Sequence, residues 1–141
     1  MYTLNATEVR KNWSAVSDRA IREKPQLIKR TRDYMVLSSV DFIRELLSGY
    51  RFSAEEFVED DGSVTLSLNE FDIAENAPTE DEAKEKLAAA LLEYAHEFYD
   101  DFEYWSKAPN RKSHIPYVFK ALMTDDTKEI KESIVCRRGK T

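Results

Sequence analysis

The chain has 141 residues, of which 42% are hydrophobic, and its two Trp, seven Tyr and seven Phe supply apolar mass for one domain or two small ones, excluding disorder throughout. The lone Cys136 excludes an internal disulfide and a cysteine-rich metal site, and three glycines leave no glycine-rich cofactor loop. The formal net charge of -6 hides a division: residues 1–52 carry ten basic and six acidic side chains, residues 53–104 two and seventeen, and residues 105–141 nine and four. Such a division suggests two surfaces meeting two different partners; the alternative is that the acidic block only solubilises. No apolar run approaches the roughly 18 residues a spanning helix needs. The start Met1-Tyr2-Thr3 has no leader pattern, so a soluble cytoplasmic protein is expected.

In chain order, Asn5 is a good helix N-cap, and Glu8 three residues later has capping-box spacing, so a helix should begin at Ala6. Val9, Trp13, Val16 and Ala20 recur at helical steps as its apolar face, which turns Arg10 and Lys11 elsewhere. Pro25 stops it. Leu27-Ile28 and Met35-Val36-Leu37 are two short apolar runs separated by the polar link 29–33, which predicts a hairpin with a basic tip. Ser39 can cap a short helix with Phe42, Ile43, Leu46 and Leu47 on one face, and Gly49 lies just past its end.

This order of Thr7-Glu8-Val9-Arg10-Lys11-Asn12, a helix, Leu27-Ile28-Lys29-Arg30, a turn, Val36-Leu37-Ser38-Ser39 and a helix resembles the N-terminal module of Phd/YefM-type antitoxins, the repressor halves of bacterial toxin–antitoxin pairs. It covers about the first third of the chain. The resemblance implies a module that dimerises through its sheet and contacts operator DNA. By position, Arg10 matches the family's helix arginine and Arg30 the arginine closing its second strand, with Lys11, Lys29 and Arg32 as phosphate contacts. Thr31-Arg32-Asp33 replaces the glycine-containing turn of the family, which bears on the reach of Arg30.

Beyond residue 48, Tyr50 to Ala54 and Val64 to Asn69 alternate apolar with polar and predict two strands joined by a turn at 60–63, with a third starting at Phe71 and Ile73. Thr79 and Glu82 open the longest helix with capping-box spacing. Its apolar face runs through Leu87, Leu91, Tyr94, Phe98, Phe102 and Trp105, a predicted length of about seven turns. The step Thr79-Glu80-Asp81-Glu82-Ala83 is similar, loosely and over roughly residues 50–100, to one in HicB-type antitoxin domains. Pro109 and Pro116 break the chain past this helix, and Ile115, Val118, Phe119 and Leu122 fit a short packed helix. A terminal helix capped from Thr124-Asp125-Asp126 runs through Ile130 and Ile134, and the tail from Arg137 is expected to fray.

The expected fold class is α+β: a Phd/YefM-like dimerisation and DNA-binding module over residues 1–48, then a toxin-binding domain over 49–141 made of a small antiparallel sheet, a long helix and C-terminal helices. On the long helix, Glu93 and Glu97 are four apart, as are Glu97 and Asp101, with no lysine or arginine between Lys86 and Lys107. A cationic partner would relieve that repulsion. The resemblance implies a basic toxin of the RelE/ParE kind, held by Glu93, Glu97, Asp100, Asp101 and Glu103 with Tyr99 or Tyr104 alongside. Phe98, Phe102 and Trp105 read better as core. Glu93 and His96 have the spacing of a di-iron ligand pair, but the chain lacks the second such pair. The ending Gly139-Lys140-Thr141 lacks the rest of a phosphate-binding loop, and Cys136, without a neighbouring histidine, reads as a bystander.

No enzyme activity, metal or cofactor is therefore expected. The reading is an antitoxin that neutralises its toxin and represses its own operon as a homodimer or higher oligomer. The alternative is a small-molecule-binding or scaffold protein whose N-terminal module only dimerises. DNA affinity that falls steeply with salt would separate the two.

Overall fold

The first strand, β1 (Leu4–Asn5), runs directly into helix α1 (Ala6–Lys11) because Asn5, in extended backbone, turns its side chain onto the chain ahead: Oδ1 accepts from Thr7 N at 2.8 Å. That one contact replaces the Glu8 capping box expected from spacing. The computed structural model describes residues 2–139, which fall into two units divided between Leu46 and Leu47. Met1, Lys140 and Thr141, and with them the last two positions of the tail and of the phosphate-loop match, lie outside the described residues.

In the first unit the expected single helix is two. Asn12 donates from its backbone N (3.0 Å) and from Nδ2 (3.1 Å) to the Glu8 carbonyl, leaves helical geometry at ψ 35, and closes α1. Helix α2 (Trp13–Arg22) restarts in a new phase. Val9, Val16 and Ala20 are buried as expected, but Trp13 is rotated out and 54% exposed, a correction to its place on the apolar face. The chain returns as β2 (Gln26–Arg30) and β3 (Asp33–Leu37), antiparallel from Gln26 opposite Leu37 to Arg30 opposite Asp33, while β1 lies parallel on the other side of β2. The sheet order is β1-β2-β3. The two-residue turn puts Thr31 at φ 56 in the left-handed region, which a β-branched residue rarely enters. Helix α3 (Val40–Leu46) follows, with Ser39 Oγ accepting from Phe42 N at 3.1 Å. The buried core of this unit is small: Val9, Val16 and Ile28, with Leu4, Ala6 and Leu37 against them.

The second unit packs one long helix on a four-stranded sheet. Strands β4 (Ser53–Val58), β5 (Val64–Leu68) and β6 (Ala74–Ala77) form an antiparallel meander. Burial on β5 alternates, with Val64, Leu66 and Leu68 inward, as period-two geometry requires. The first of these strands begins at Ser53 rather than Tyr50, and Phe71, expected to start the third, instead fills the core from the bend before β6. Helix α4 (Glu80–Asp100) starts where Thr79 Oγ accepts from Glu82 N at 3.2 Å, and buries Ala83, Leu87, Leu91, Ala95 and Phe98. The predicted seven-turn helix is interrupted at Asp101 (φ -126, ψ 51) and resumes as α5 (Phe102–Lys107).

A 3-10 turn (Lys112–His114) leads into α6 (Ile115–Thr124), where Pro116 sits in the first turn and starts the helix rather than breaking it. Asp125 takes the left-handed C-cap at φ 45, and Asp126 caps α7 (Thr127–Ser133) by accepting from Lys128 N at 2.9 Å. Arg137 and Arg138, the start of the tail expected to fray, lie in a strand: β7 (Val135–Arg138) pairs in parallel with β4, from Ser53 opposite Val135 to Glu56 opposite Arg138, giving the order β6-β5-β4-β7. Beyond it, Gly139 N donates to the Glu56 carbonyl at 2.7 Å. The molecule is an α+β protein, and among the described residues no helix is long and apolar enough to cross a membrane.

Candidate functional site: a basic surface and an acidic flank

The basic residues of the first unit come from two elements joined through β1. Asn5 lies opposite Lys29 in the sheet and is the residue from which α1 departs, so the hairpin end and the start of α1 are neighbours. Arg10 and Lys11 sit on the last turn of α1, about 7 to 9 Å further along its axis. Arg10, Lys29, Arg30 and Arg32 are exposed, and none of the four forms an ion pair with another described residue. Lys11 leans on Glu8 at 3.8 Å with both ends exposed, a contact of little worth. Lys29 and Arg30 are adjacent on β2 and so point to opposite faces of the hairpin. Lys29 shares its face with its cross-strand partner Tyr34, its Nζ lying 5.6 Å from the ring centre. That outer face also carries Leu27 and Val36, the latter 57% exposed.

The acidic residues named from sequence separate into three groups. Glu93, Glu97 and Asp100 are exposed on the side of α4 away from Leu87, Leu91 and Phe98. Tyr99, two residues from Glu97 and therefore about 200° around the helix, faces the other flank, where its ring meets Phe119 edge-on at 6.2 Å. Asp101, Glu103 and Tyr104 come together only after the break, lining a groove of about 510 Å³ with Lys107, Ala108 and Pro109. Asp100 and Asp101 stand at the C-terminal end of a 21-residue helix whose last turn has no basic residue. There the backbone carbonyls already carry partial negative charge, so these carboxylates are held where the helix favours them least.

Two residues near these groups take places that the sequence does not announce. Lys107 Nζ approaches Glu103 Oε1 at 3.3 Å; the four-residue spacing is visible in the chain, but there Lys107 marks only the end of the acidic stretch. His114 is buried, 2.7 Å from Tyr94 Oη through Nδ1 and 5.1 Å from the Phe71 ring. Burial lowers its basicity, with the nearby Arg111 adding in the same direction. Beside it Arg111 donates to Asp72 at 2.8 Å, and this contact holds the Asp72 carboxyl below its ordinary range. His96, from the discarded di-iron pattern, instead reaches Asp125 at 3.2 Å. Among the described residues no trio of His, Cys, Asp or Glu is placed to hold a metal ion. Burial also pushes the Cys136 thiol up, away from the reactive thiolate.

The chain is α+β, with exposed cations on its smaller unit and an anionic helix in its larger one. Residues 1–136 match the PHD-like family, described as "Antitoxin of toxin-antitoxin, RelE / RelB, TA system", and the chain belongs to that family. Among solved structures it is similar to one from Syntrophomonas wolfei subsp. wolfei, described as "an antitoxin part of a putative toxin/antitoxin system". The two share 37% identity over 99% of this chain and 100% of that one, with a TM-score of 0.93. No curated protein matches. The protein is thus an antitoxin of a toxin–antitoxin system, a regulatory rather than catalytic molecule, and its partner is a toxin.

Proposed function

We propose that this antitoxin is of the Phd/YefM type with a HicB-like second part, that it acts in the cytoplasm as a dimer or higher oligomer, and that it represses its own operon while neutralising a basic RelE/ParE-like toxin. The first unit is the DNA-binding and dimerising part and the second the toxin-binding part. What carries the DNA half is that Arg10, Lys29, Arg30 and Arg32 are exposed on one small unit with no ion pair to another described residue. Cations left unpaired beside six acids in the first 52 residues are available to phosphates, and Arg10 and Arg30 have the fork that reads a base edge.

Self-association is supported by the size of the core. Three buried apolar side chains forming one cluster are too few for a 46-residue unit, while Leu27, Tyr34 and Val36 form an apolar outer face beside the open edge of β3. Two copies would present two sets of arginines to two half-sites. The toxin half rests on Glu93, Glu97, Asp100, Asp101 and Glu103, with Tyr99 and Tyr104 as flanking aromatics. A titration of the chain against its own upstream DNA at fixed salt tests the DNA half: Arg10→Ala should weaken binding by about 1 to 3 kcal/mol. Unchanged affinity would remove Arg10 from the interface.

A further inference from the structure

Helix α5 has three aromatics in six residues, and none is fully buried. Phe102 and Trp105 lean on Phe98 at ring distances of 5.7 and 6.3 Å, while Tyr104 is 62% exposed and held edge-on to Trp105 at 5.2 Å. Tyr104 lines the groove after the α4 break. Asp101, Glu103, Ala108 and Pro109 line it as well. An aromatic face beside two carboxylates complements a guanidinium, which is planar, weakly hydrated and able both to fork onto a carboxylate and to lie on a ring. Lys107 is the groove's own cation, 3.3 Å from Glu103 with both side chains largely in solvent.

We propose that this corner receives an arginine side chain of the toxin, and that Lys107 is an internal competitor for the seat. The inference rests on the reading of the acidic flank as the toxin-facing surface and adds the chemistry of one contact within it. In the free protein the Lys107 ammonium partly neutralises Glu103. An exposed pair of this kind contributes little and is easily displaced. An incoming guanidinium can engage Glu103, Asp101 and the Tyr104 ring together, a combination that a compact ammonium does not match.

The test is the dissociation constant between the full chain and the purified product of the adjacent reading frame, measured at low and high salt for wild type, Lys107→Ala, Glu103→Gln and the double variant. All the substituted side chains are exposed, so the fold is retained. Lys107→Ala should tighten binding by about 2- to 5-fold at low salt, with the gain shrinking at high salt. Glu103→Gln should weaken binding, and in its background the gain from Lys107→Ala should vanish. An Arg→Lys scan of the toxin should find one position whose change weakens wild type about tenfold and the Glu103→Gln variant much less. Two results overturn the proposal: no tightening by Lys107→Ala, or a gain that survives intact in the Glu103→Gln background, since that would be general charge repulsion. If wild type does not bind the toxin through this flank, so that even Glu93→Lys is silent, the reading beneath it fails instead.

Discussion

At Thr31 the hairpin places a β-branched side chain in backbone that favours glycine. Left-handed geometry costs a non-glycine residue roughly 1 to 2 kcal/mol, and part of that is offset because glycine has more freedom to lose on folding. Thr31→Gly should therefore stabilise the protein by about 1 kcal/mol in denaturant titration; a loss of stability would mean that the threonine side chain is held by contacts worth more than the strain. His114 offers a second test. Its folded pKa lies below the unfolded value of about 6.5, because burial disfavours the imidazolium. The unfolded chain thus takes up the proton first as the medium is acidified. The contribution is complete above about pH 6.5 and is lost as pH falls through the folded pKa. Asp72, also lowered, acts with the same sign but only in the carboxylate range. Replacing His114 by Gln should flatten the fall of stability on acidification below about pH 6.5, read as denaturation midpoints; an unchanged slope would place the titrating group elsewhere.

Among the elements, the sequence makes legible what is local. Asn5, Thr79 and Asp126 act as N-caps because a cap needs only the next two or three residues, and the hairpin from Gln26 to Leu37 and the burial of Leu87, Leu91 and Phe98 follow from periodicity alone. The misses have a shared cause in competition between contacts. Asn12 resembles any helical polar residue, yet its side chain takes the Glu8 carbonyl, ends α1 and turns Trp13 outward. Strand β7 is unreadable because the edge it pairs with, β4, lies some eighty residues earlier in the chain, and Val135 to Arg138 have no alternation strong enough to declare a strand. The candidate site is legible as charge but not as shape: the acids stand out, while their division by the break at Asp101 and the groove beyond it do not. The same break makes a prediction about α4. Asp100→Lys replaces an acid at the negative helix end by a cation and should raise stability by about 0.3 to 1 kcal/mol, read from the denaturation midpoint, while weakening toxin binding. A variant that gained stability and kept full toxin affinity would remove Asp100 from the interface.

For the whole molecule, a net charge of -6 says less than how it is distributed. Exposed cations without an ion pair among the described residues, Arg10, Lys29, Arg30 and Arg32 included, belong to the first unit, and a run of carboxylates, some set against their own helix dipole, belongs to the second. Both arrangements forgo internal neutralisation that the sequence could have supplied, and both become favourable once a polyanion or a cationic protein is bound. The proposed roles keep the two surfaces separate in function. The most direct measurement of that separation scores one set of variants in two assays: titration of the operator, and rescue of growth on co-expression with the adjacent reading frame's product. Arg10→Ala with Arg30→Ala should lose operator binding and keep rescue, and Glu93→Lys with Asp101→Lys should keep operator binding and lose rescue. Folded variants that lose both together, or neither, would contradict the division of labour between the two charged surfaces.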